Sequence, residues 1–430
     1  MTSGFERDRG EFARGARAIV VFPDQGESRR DAEARLEETA GLAAAIGVVV
    51  ADKVPLRVRS PKPATLIGSG QVEALAASVR MEEAGLVVFD AALTPVQQRN
   101  LETALEAKVI DRTGLILEIF GERAATAEGR LQVELAHLDY QAGRLVRSWT
   151  HLERQRGGFG FLGGPGETQI EADRRLIRDR MARLRKELDQ VSRTRGLHRE
   201  RRQRAPWPVI ALVGYTNAGK STLFNRLTGA DVMAENLLFA TLDPTLRQIS
   251  LPGIDKAILS DTVGFVSDLP TQLVAAFKAT LEEVVSADLL IHVRDIAHPD
   301  SEAQRADVEQ VLREIGVSDA TPRIEAWNKL DALDPEHRAE VLGDSARHED
   351  VVAISALSGE GMGDLTECVA MALTAGHRCY RVALDPADGA GAAWLHQHGE
   401  VLDQTIEGDR AIYEVRMAPR DFERFQVRAG

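Results

Sequence analysis

The chain has 430 residues, enough for about three domains and several independent cores. Hydrophobic residues make up 44% and charged residues 28%, which excludes wholesale disorder. The two cysteines, Cys368 and Cys379, exclude a disulfide framework or a zinc-ribbon array and fit a reducing cytosol. The formal net charge of −13 argues against a general nucleic-acid coat or an anionic-membrane partner unless the charge is segregated.

Residues 1–17 are charged, lack an apolar core and read as a loose tail, not a signal peptide. From 18 to about 120 short apolar runs alternate with helical stretches. Ala18–Phe22, Ile46–Ala51, Leu86–Phe89 and Ala107–Ile110 read as buried strands, with helices around 31–45, 70–83 and 95–106. Alternation of this kind predicts crossover connections and a mostly parallel sheet, an N-terminal α/β domain. Two long helices follow, over 115–155 and 167–204, so that 121–204 forms a helical hairpin. Its tip, 157–166, contains six glycines in ten residues, a density that excludes regular helix.

The charge is segregated here. Residues 174–204 hold thirteen Lys/Arg and four Asp/Glu, a net of +9, which leaves −22 for the rest of the chain. A solvated face with i,i+4 pairs such as Arg183 with Glu187 accounts for part of this excess. The unpaired remainder points to a polyanion-facing surface. Pro206-Trp-Pro208 marks a linker. A second alternating α/β pattern spans 205–375. Residues 376–430 read as a small α+β domain, strand–helix–strand–strand–helix, with strands at Tyr380–Leu384 and Arg410–Arg416. No apolar run reaches the ~18 residues of a membrane span.

The chemistry concentrates in the second α/β unit. Pro208–Val213 is an apolar strand, followed by Gly214, Tyr215, Thr216, Asn217, Ala218, Gly219, Lys220, Ser221 and a helical run from Thr222 to Leu227. This is G-x-x-x-x-G-K-S between a strand and a helix, the context that a phosphate-binding loop demands. The glycines let the backbone wrap phosphate oxygens, N–H groups and the helix N-terminus stabilise the anion, Lys220 reaches the β and γ phosphates, and Ser221 offers a Mg²⁺ ligand.

Asp261, Thr262, Val263 and Gly264 end the apolar run Ala257–Ser260. They supply a metal-side carboxylate and a backbone N–H for the γ phosphate. Asn328, Lys329, Leu330 and Asp331 follow the strand Arg323–Trp327. The Asp331 carboxylate can accept from guanine N1–H and N2–H₂ together, donors that adenine does not present there. Asn328 can bind the purine edge or tie its loop to the phosphate loop, and the Lys329 stem can cover the ring. Ser355, Ala356 and Leu357 follow Val351–Ile354 and add a backbone contact to guanine O6.

These four motifs, in this order, resemble the translation-factor-like P-loop GTPases. The resemblance places a switch between Ser221 and Asp261, where Phe239, Ala240, Thr241, Leu242, Asp243, Pro244 and Thr245 stand. Thr241 is the residue expected to close on Mg²⁺ and the γ phosphate, with Thr245 as the alternative. The resemblance thus makes Lys220, Thr241 and Gly264 the catalytic set and Ser221, Thr241 and Asp261 the metal set. Ras-like enzymes carry a glutamine after D-x-x-G; here Phe265 takes that place, so slow intrinsic hydrolysis is expected. Asn217 corresponds to an asparagine that binds K⁺ in some related GTPases.

The runs Phe239–Thr245 and Asp261–Phe265 look like the Obg–HflX superfamily. Five N-terminal runs resemble the HflX family block by block: Pro63–Gly70, Gln97–Leu101, Val109–Leu117, Leu131–Leu135 and Gly164–Gln169. The resemblance covers about 18–375. It implies a cytoplasmic, monomeric GTPase that alternates between GTP and GDP. It also implies binding to the large ribosomal subunit and its rRNA through the 157–204 tip and basic helix, to split or rescue stalled ribosomes under stress. Phe161 and Leu162 at the tip depart from the family pattern. A tRNA-modification-type GTPase or another RNA-remodelling NTPase is the rival reading, and no Walker motif between 18 and 150 supports an ATPase there.

Overall fold

The computed structural model describes residues 15–26, 31–155, 172, 174–191, 207–230, 239, 245–266 and 278–429. The 157–166 tip, the basic residues 192–204 and the switch residues Ala240, Thr241, Leu242 and Asp243 lie outside the described residues.

Four parallel strands build the first sheet: β1 Arg17–Asp24, β2 Val49–Arg57, β3 Leu86–Phe89 and β4 Lys108–Asp111, in the order β2-β1-β3-β4. Helices α1 Ala32–Ala45, α2 Ser69–Met81 and α3 Pro95–Leu105 connect them. Both faces are covered: Ile19, Val21, Val87 and Phe89 pack into one core, Ala18, Val20, Leu86 and Val88 into the other. That double burial is why the strands read as continuous apolar runs rather than alternating ones. Local chemistry sets the helix starts. Asp31 accepts from the Glu33 N–H, and Thr94 and Gln97 form a capping box ahead of Pro95.

Two boundaries differ from the sequence expectation. The second strand begins at Val49, not Ile46, and continues to Arg57. Ile46 and Gly47 instead end α1, the Ile46 N–H bonding to Ala43 O, the Gly47 N–H to Ala44 O, and Gly47 adopting φ +72°. The long helix expected over 115–155 is two helices, α4 Arg112–Arg123 and α5 Ala127–Gln155, broken where Ala124 turns extended at ψ 99°. The break lets α4 bury Leu115, Ile116, Ile119 and Phe120 against the sheet, while α5 turns back to pack Val133 and Ala136 into the same core. A helix over 174–191, α6, packs on α5 through Leu138, Met181 and Leu184, and Arg180 pairs with Glu134 at 2.7 Å. Opposite that seam Arg175, Arg178, Arg183, Arg185 and Lys186 are exposed.

The second sheet has the order β10-β9-β8-β5-β7-β6. Its strands are β5 Val209–Gly214, β6 Thr245–Leu251, β7 Ile254–Asp261, β8 Leu289–Asp295, β9 Arg323–Asn328 and β10 Val351–Ala353, with β6 alone antiparallel. Helices α7 Lys220–Thr228, α8 Lys278–Val285, α9 Ser301–Glu314, α10 Pro335–Ser345 and α11 Met362–Thr374 flank it. The last domain runs β11 Arg378–Leu384, α12 Gly389–His398, β12 Glu400–Glu407, β13 Arg410–Met417, α13 Pro419–Ala429, in the expected element order, with its antiparallel sheet ordered β11-β13-β12. One apolar core is continuous from the first sheet into the second: Leu36, Ile116 and Phe120 share it with Val213, Tyr215, Phe239 and Phe265. No helix among the described residues is long and apolar enough to cross a membrane.

Candidate phosphate and guanine site

In an open α/β sheet ligands collect beyond the carboxyl ends of the strands. The ends of β5, β7, β8 and β9 carry, respectively, Gly214, Asp261, Asp295 and Asn328. Backbone geometry makes the phosphate loop. Gly214 has φ +150°, and a Cβ there would lie 2.2 Å from Val293 O. Gly219 has φ +95°, and its Cβ would meet Asn328 Nδ2 at 2.2 Å. Both glycines are therefore required for close approach, not for flexibility. Between them Asn217 sits at φ +60° with its side chain exposed at the rim. Thr216 Oγ1 is buried and finds no hydrogen-bond partner among the described residues.

Lys220 opens α7 and is 6% exposed. Its ammonium donates to Gly214 O at 3.1 Å and Tyr215 O at 2.7 Å, which folds the side chain back over the loop. Burial pushes the Lys220 pKa down to about 8, partly opposed by the Asp261 carboxylate. Ser221 Oγ donates to Asp261 Oδ2 at 2.9 Å, so the two expected metal-side groups face each other. Gly264 lies against Thr216 and Lys220: a Cβ on it would sit 2.8 Å from Thr216 Cα and 3.1 Å from Lys220 Nζ. Thr262 Oγ1 bonds to Leu212 O, and Val263 is buried beneath.

Phe265 does not face the loop's open side. Its N–H donates to Gly214 O at 3.1 Å, its carbonyl accepts from Thr216 N at 2.7 Å, and its ring is 1% exposed in the core shared with the N-terminal domain. The residue that stands where glutamine was expected is thus a packing and backbone-pairing residue. Thr245 begins β6 and pairs with Asp261, and Phe239 is buried at φ +58°.

The base-side loops are tied together by Asn328. Its Nδ2 donates to Ala218 O at 2.8 Å and its Oδ1 accepts from Ala356 N at 2.9 Å. Of the two roles open to Asn328, the structure displays the tie between loops. Asp331 is exposed, and the Ser355 hydroxyl donates to its Oδ1. The Lys329 ammonium bonds to Asp295 at 2.7 Å. Leu330 is buried and its N–H donates to Ile354 O, whereas Leu357 is exposed. Arg226, at the far end of α7, donates to Ala356 O and Leu357 O and so braces the same loop from below. Thr222 is half-buried in the first turn of α7.

Sequence reasoning missed a second group of residues on this site. The Tyr215 hydroxyl donates to Glu38 Oε2 at 2.6 Å, a contact to α1 across 177 residues of chain. Glu38 is ion-paired with Arg112, Arg112 Nη1 reaches Asp90 at 2.5 Å, and Arg35 reaches Asp90 at 2.9 Å. Burial alone would lower the Arg112 pKa, but Asp90 and Glu38 raise it above the ordinary arginine value. A charged pair, Asp111-Arg112, closing an apolar strand is the one sequence signal that could have marked this cluster.

Three family profiles match the chain: "GTP-binding GTPase N-terminal" over 33–121, "GTP-binding GTPase Middle Region" over 123–202, and "50S ribosome-binding GTPase" over 209–329. The GTPase HflX of Magnetococcus marinus is 50% identical over 95% of this chain and 94% of its own length. The GTPase HflX of Escherichia coli is 41% identical over 97% and 96% respectively. Among solved structures, a GTP-binding protein from Sulfolobus solfataricus in complex with GDP is 26% identical. It aligns over 84% of this chain and 99% of that chain with a TM-score of 0.44.

Proposed function

The chain belongs to the HflX family of GTPases, and from that premise we propose that it hydrolyses GTP and binds the large ribosomal subunit, splitting or rescuing stalled ribosomes under stress. The observation that carries the hydrolytic reading is the convergence of Lys220, Ser221, Asp261 and Gly264 at the carboxyl ends of β5 and β7. Lys220 places its charge against the β and γ phosphates, and backbone N–H groups of the loop and α7 take the remaining oxygens. The Gly264 N–H reads the γ phosphate. A hydroxyl and one carboxylate, with substrate phosphates completing the set, suit Mg²⁺, which binds few protein ligands. Ser221 and Asp261 would hold it with Thr241, and when bound it neutralises charge on the phosphate oxygens. Asp331, braced by Ser355, selects guanine.

Hydrolysis in isolation is slow, since the buried Phe265 ring has no hydrogen-bonding group to orient water. Asn217, exposed at the rim, is where K⁺ would add a second cation; faster turnover in K⁺ than in Na⁺ supports this, and equal turnover removes it. The ribosome reading is supported by the description of the profile over 209–329 and by the basic stretch 174–204. Arg and Lys there meet rRNA phosphates, and the 157–166 tip enters a narrow RNA cavity. A monomer working in the cytoplasm completes the proposal.

The test is co-sedimentation with large subunits. Retention is expected to be stronger with a non-hydrolysable GTP analogue than with GDP, by linkage. It should weaken when Arg175, Arg178 and Arg183 are neutralised. Equal pelleting with both nucleotides sinks the switch.

A further inference from the structure

The N-terminal sheet has a topological switch point of its own. From β1 the chain crosses to β2 on one side and then to β3 on the other, so a crevice opens beyond the carboxyl ends of β1 and β3. In open α/β folds that crevice is where a ligand binds. Here it is filled from within. Asp90 directly follows β3 and accepts from both Arg35 and Arg112; Arg112 directly follows β4 and also reaches Thr39 Oγ1 at 3.3 Å and Glu38. Two cations and two anions balance, and their side chains are between 0 and 10% exposed.

The element that seals this crevice is the phosphate loop of the other domain. Glu38 spends one carboxylate oxygen on Arg112 and the other on the Tyr215 hydroxyl. The backbone of Tyr215 is equally committed: its carbonyl accepts from Lys220 Nζ at 2.7 Å and from Ala218 N at 3.3 Å, and the residue pairs with Phe265 beside Gly264. A rigid aromatic ring therefore joins the buried charge network to the carbonyl that holds the phosphate-binding lysine. A second contact runs parallel to it. Phe239 meets Phe120 of α4 edge to face, with centroids 4.8 Å apart and planes at 85°.

We propose that Glu38 and Arg112 are positioning residues of the nucleotide site, fixing the phosphate loop through the Tyr215 hydroxyl so that the N-terminal domain is a structural part of GTP binding. Buried ion networks contribute little net stability over an apolar core of the same shape; what they supply is one geometry, because any displacement leaves charges unpaired. The inference rests on the GTP-binding reading given above.

The test uses the full chain with Mg²⁺, fluorescent-labelled GDP for affinity and unlabelled GTP for turnover. Tyr215→Phe keeps the ring and removes only the donor. Glu38→Gln keeps the shape and removes the charge. Each single variant is expected to bind GDP about three- to tenfold more weakly, the part of one charge-assisted hydrogen bond expressed at the loop, with kcat/KM for GTP falling alongside. The double variant should be no weaker than the weaker single one, since both changes act on the same Tyr215–Glu38–Arg112 link, the glutamine having one acceptor oxygen where the glutamate uses two. Should Glu38→Gln fail to fold, Tyr215→Phe alone decides by the same two constants. Nucleotide constants matching the parent, even with a lower melting temperature, overturn the inference and leave only a structural role. Additive losses in the double variant overturn it too. If the parent chain itself binds no guanine nucleotide, the GTP-binding reading falls first and this one with it.

Discussion

Lys220 gives the sharpest physical expectation, because it is buried and its proposed role sets it beside the nucleotide phosphates. Buried and facing mostly backbone carbonyls, its ammonium loses hydration, and its pKa is held at about 8 against the usual 10.5, with Asp261 recovering only part of the difference. In the proposed role, a di- or triphosphate beside it would restore the charged form. Binding must then draw a proton from solvent wherever the free lysine is partly neutral. At pH 7 a group titrating at about 8 is about nine-tenths protonated, so uptake is about 0.1 proton per GDP. At pH 8.5 it is about one-quarter protonated, and uptake rises to about 0.75.

Calorimetry in two buffers of different ionisation enthalpy reads this number directly. Affinity itself should be level below pH 8 and then fall toward tenfold per pH unit. Lys220→Arg separates the lysine from other titrations, including that of guanine, since arginine stays charged throughout; its excess uptake at pH 8.5 should vanish. A parent uptake below about 0.3 at pH 8.5, or an equal uptake in Lys220→Arg, would refute the desolvated-lysine argument.

Three further expectations follow from other parts of the molecule. Asp331→Asn replaces a double acceptor by an amide that can donate, so nucleotide competition should shift from guanine toward xanthine by about a hundredfold or more; an unchanged preference removes Asp331 from base recognition. Gly361→Ala places a Cβ 2.4 Å from Ala353 O at φ +72°, in the turn that starts α11, and should cost about 2–4 kcal/mol in denaturant unfolding. A loss under about 1 kcal/mol would show that the turn relaxes. His292, buried on β8, has its pKa pushed down to about 4 by burial and the neighbouring Arg294, with Glu325 opposing. The folded state then refuses a proton that the unfolded chain takes near 6.5. Stability should accordingly fall as pH drops from about 6.5 to about 4 and level off below, by up to about 3 kcal/mol. His292→Gln should flatten that segment of the pH profile, and a variant with the parent's slope there contradicts the assignment.

What the sequence disclosed and what it withheld divide along contact range. The phosphate loop was legible because strand, glycines and helix start are consecutive and each has a backbone reason to be there; Gly214 and Gly219 are forced by atoms 2.2 Å away. The C-terminal strand–helix–strand–strand–helix order was legible for a similar reason, short elements separated by turns. Boundaries failed where a tertiary demand overrode local pattern. Ile46 is apolar enough for a strand yet caps α1, and Ala124 breaks a helical pattern so that α4 can stay on the sheet. Phe265 was read as a missing catalytic group; the structure adds that the position is turned into the core. Glu38, Asp90 and Arg112 were hard to see as a cluster because single charged residues in sequence look like surface; the Asp111-Arg112 pair marks one member, and nothing local reports that the three come together.

The same cluster explains how two distant regions are mechanically adjacent. Arg112 faces Glu38 and thus Tyr215 in the phosphate loop. Its neighbour Asp111, 1% exposed, caps α4 through the Gly114 N–H and accepts from Tyr140 Oη at 2.6 Å and Arg144 at 2.7 Å, both on α5. Burial together with the Asp111 charge raises the Tyr140 pKa, so that hydroxyl remains a donor throughout the ordinary pH range. One dipeptide at the end of β4 therefore reaches the phosphate loop through Glu38 with one side chain and holds the long helix directly with the other. The exposed arginines of α6 ride on that helix through Met181 and Leu184. A rotation of α5 that kept Asp111 bonded would carry Arg112 with it and strain the Glu38–Tyr215 contact. A rotation that released Asp111 would leave a buried carboxylate short of two donors. Either route costs on the order of 1–3 kcal/mol, the size of an ordinary allosteric coupling. The exposed arginines of α6 are thus linked to the phosphate loop by an unbroken series of packed and hydrogen-bonded side chains.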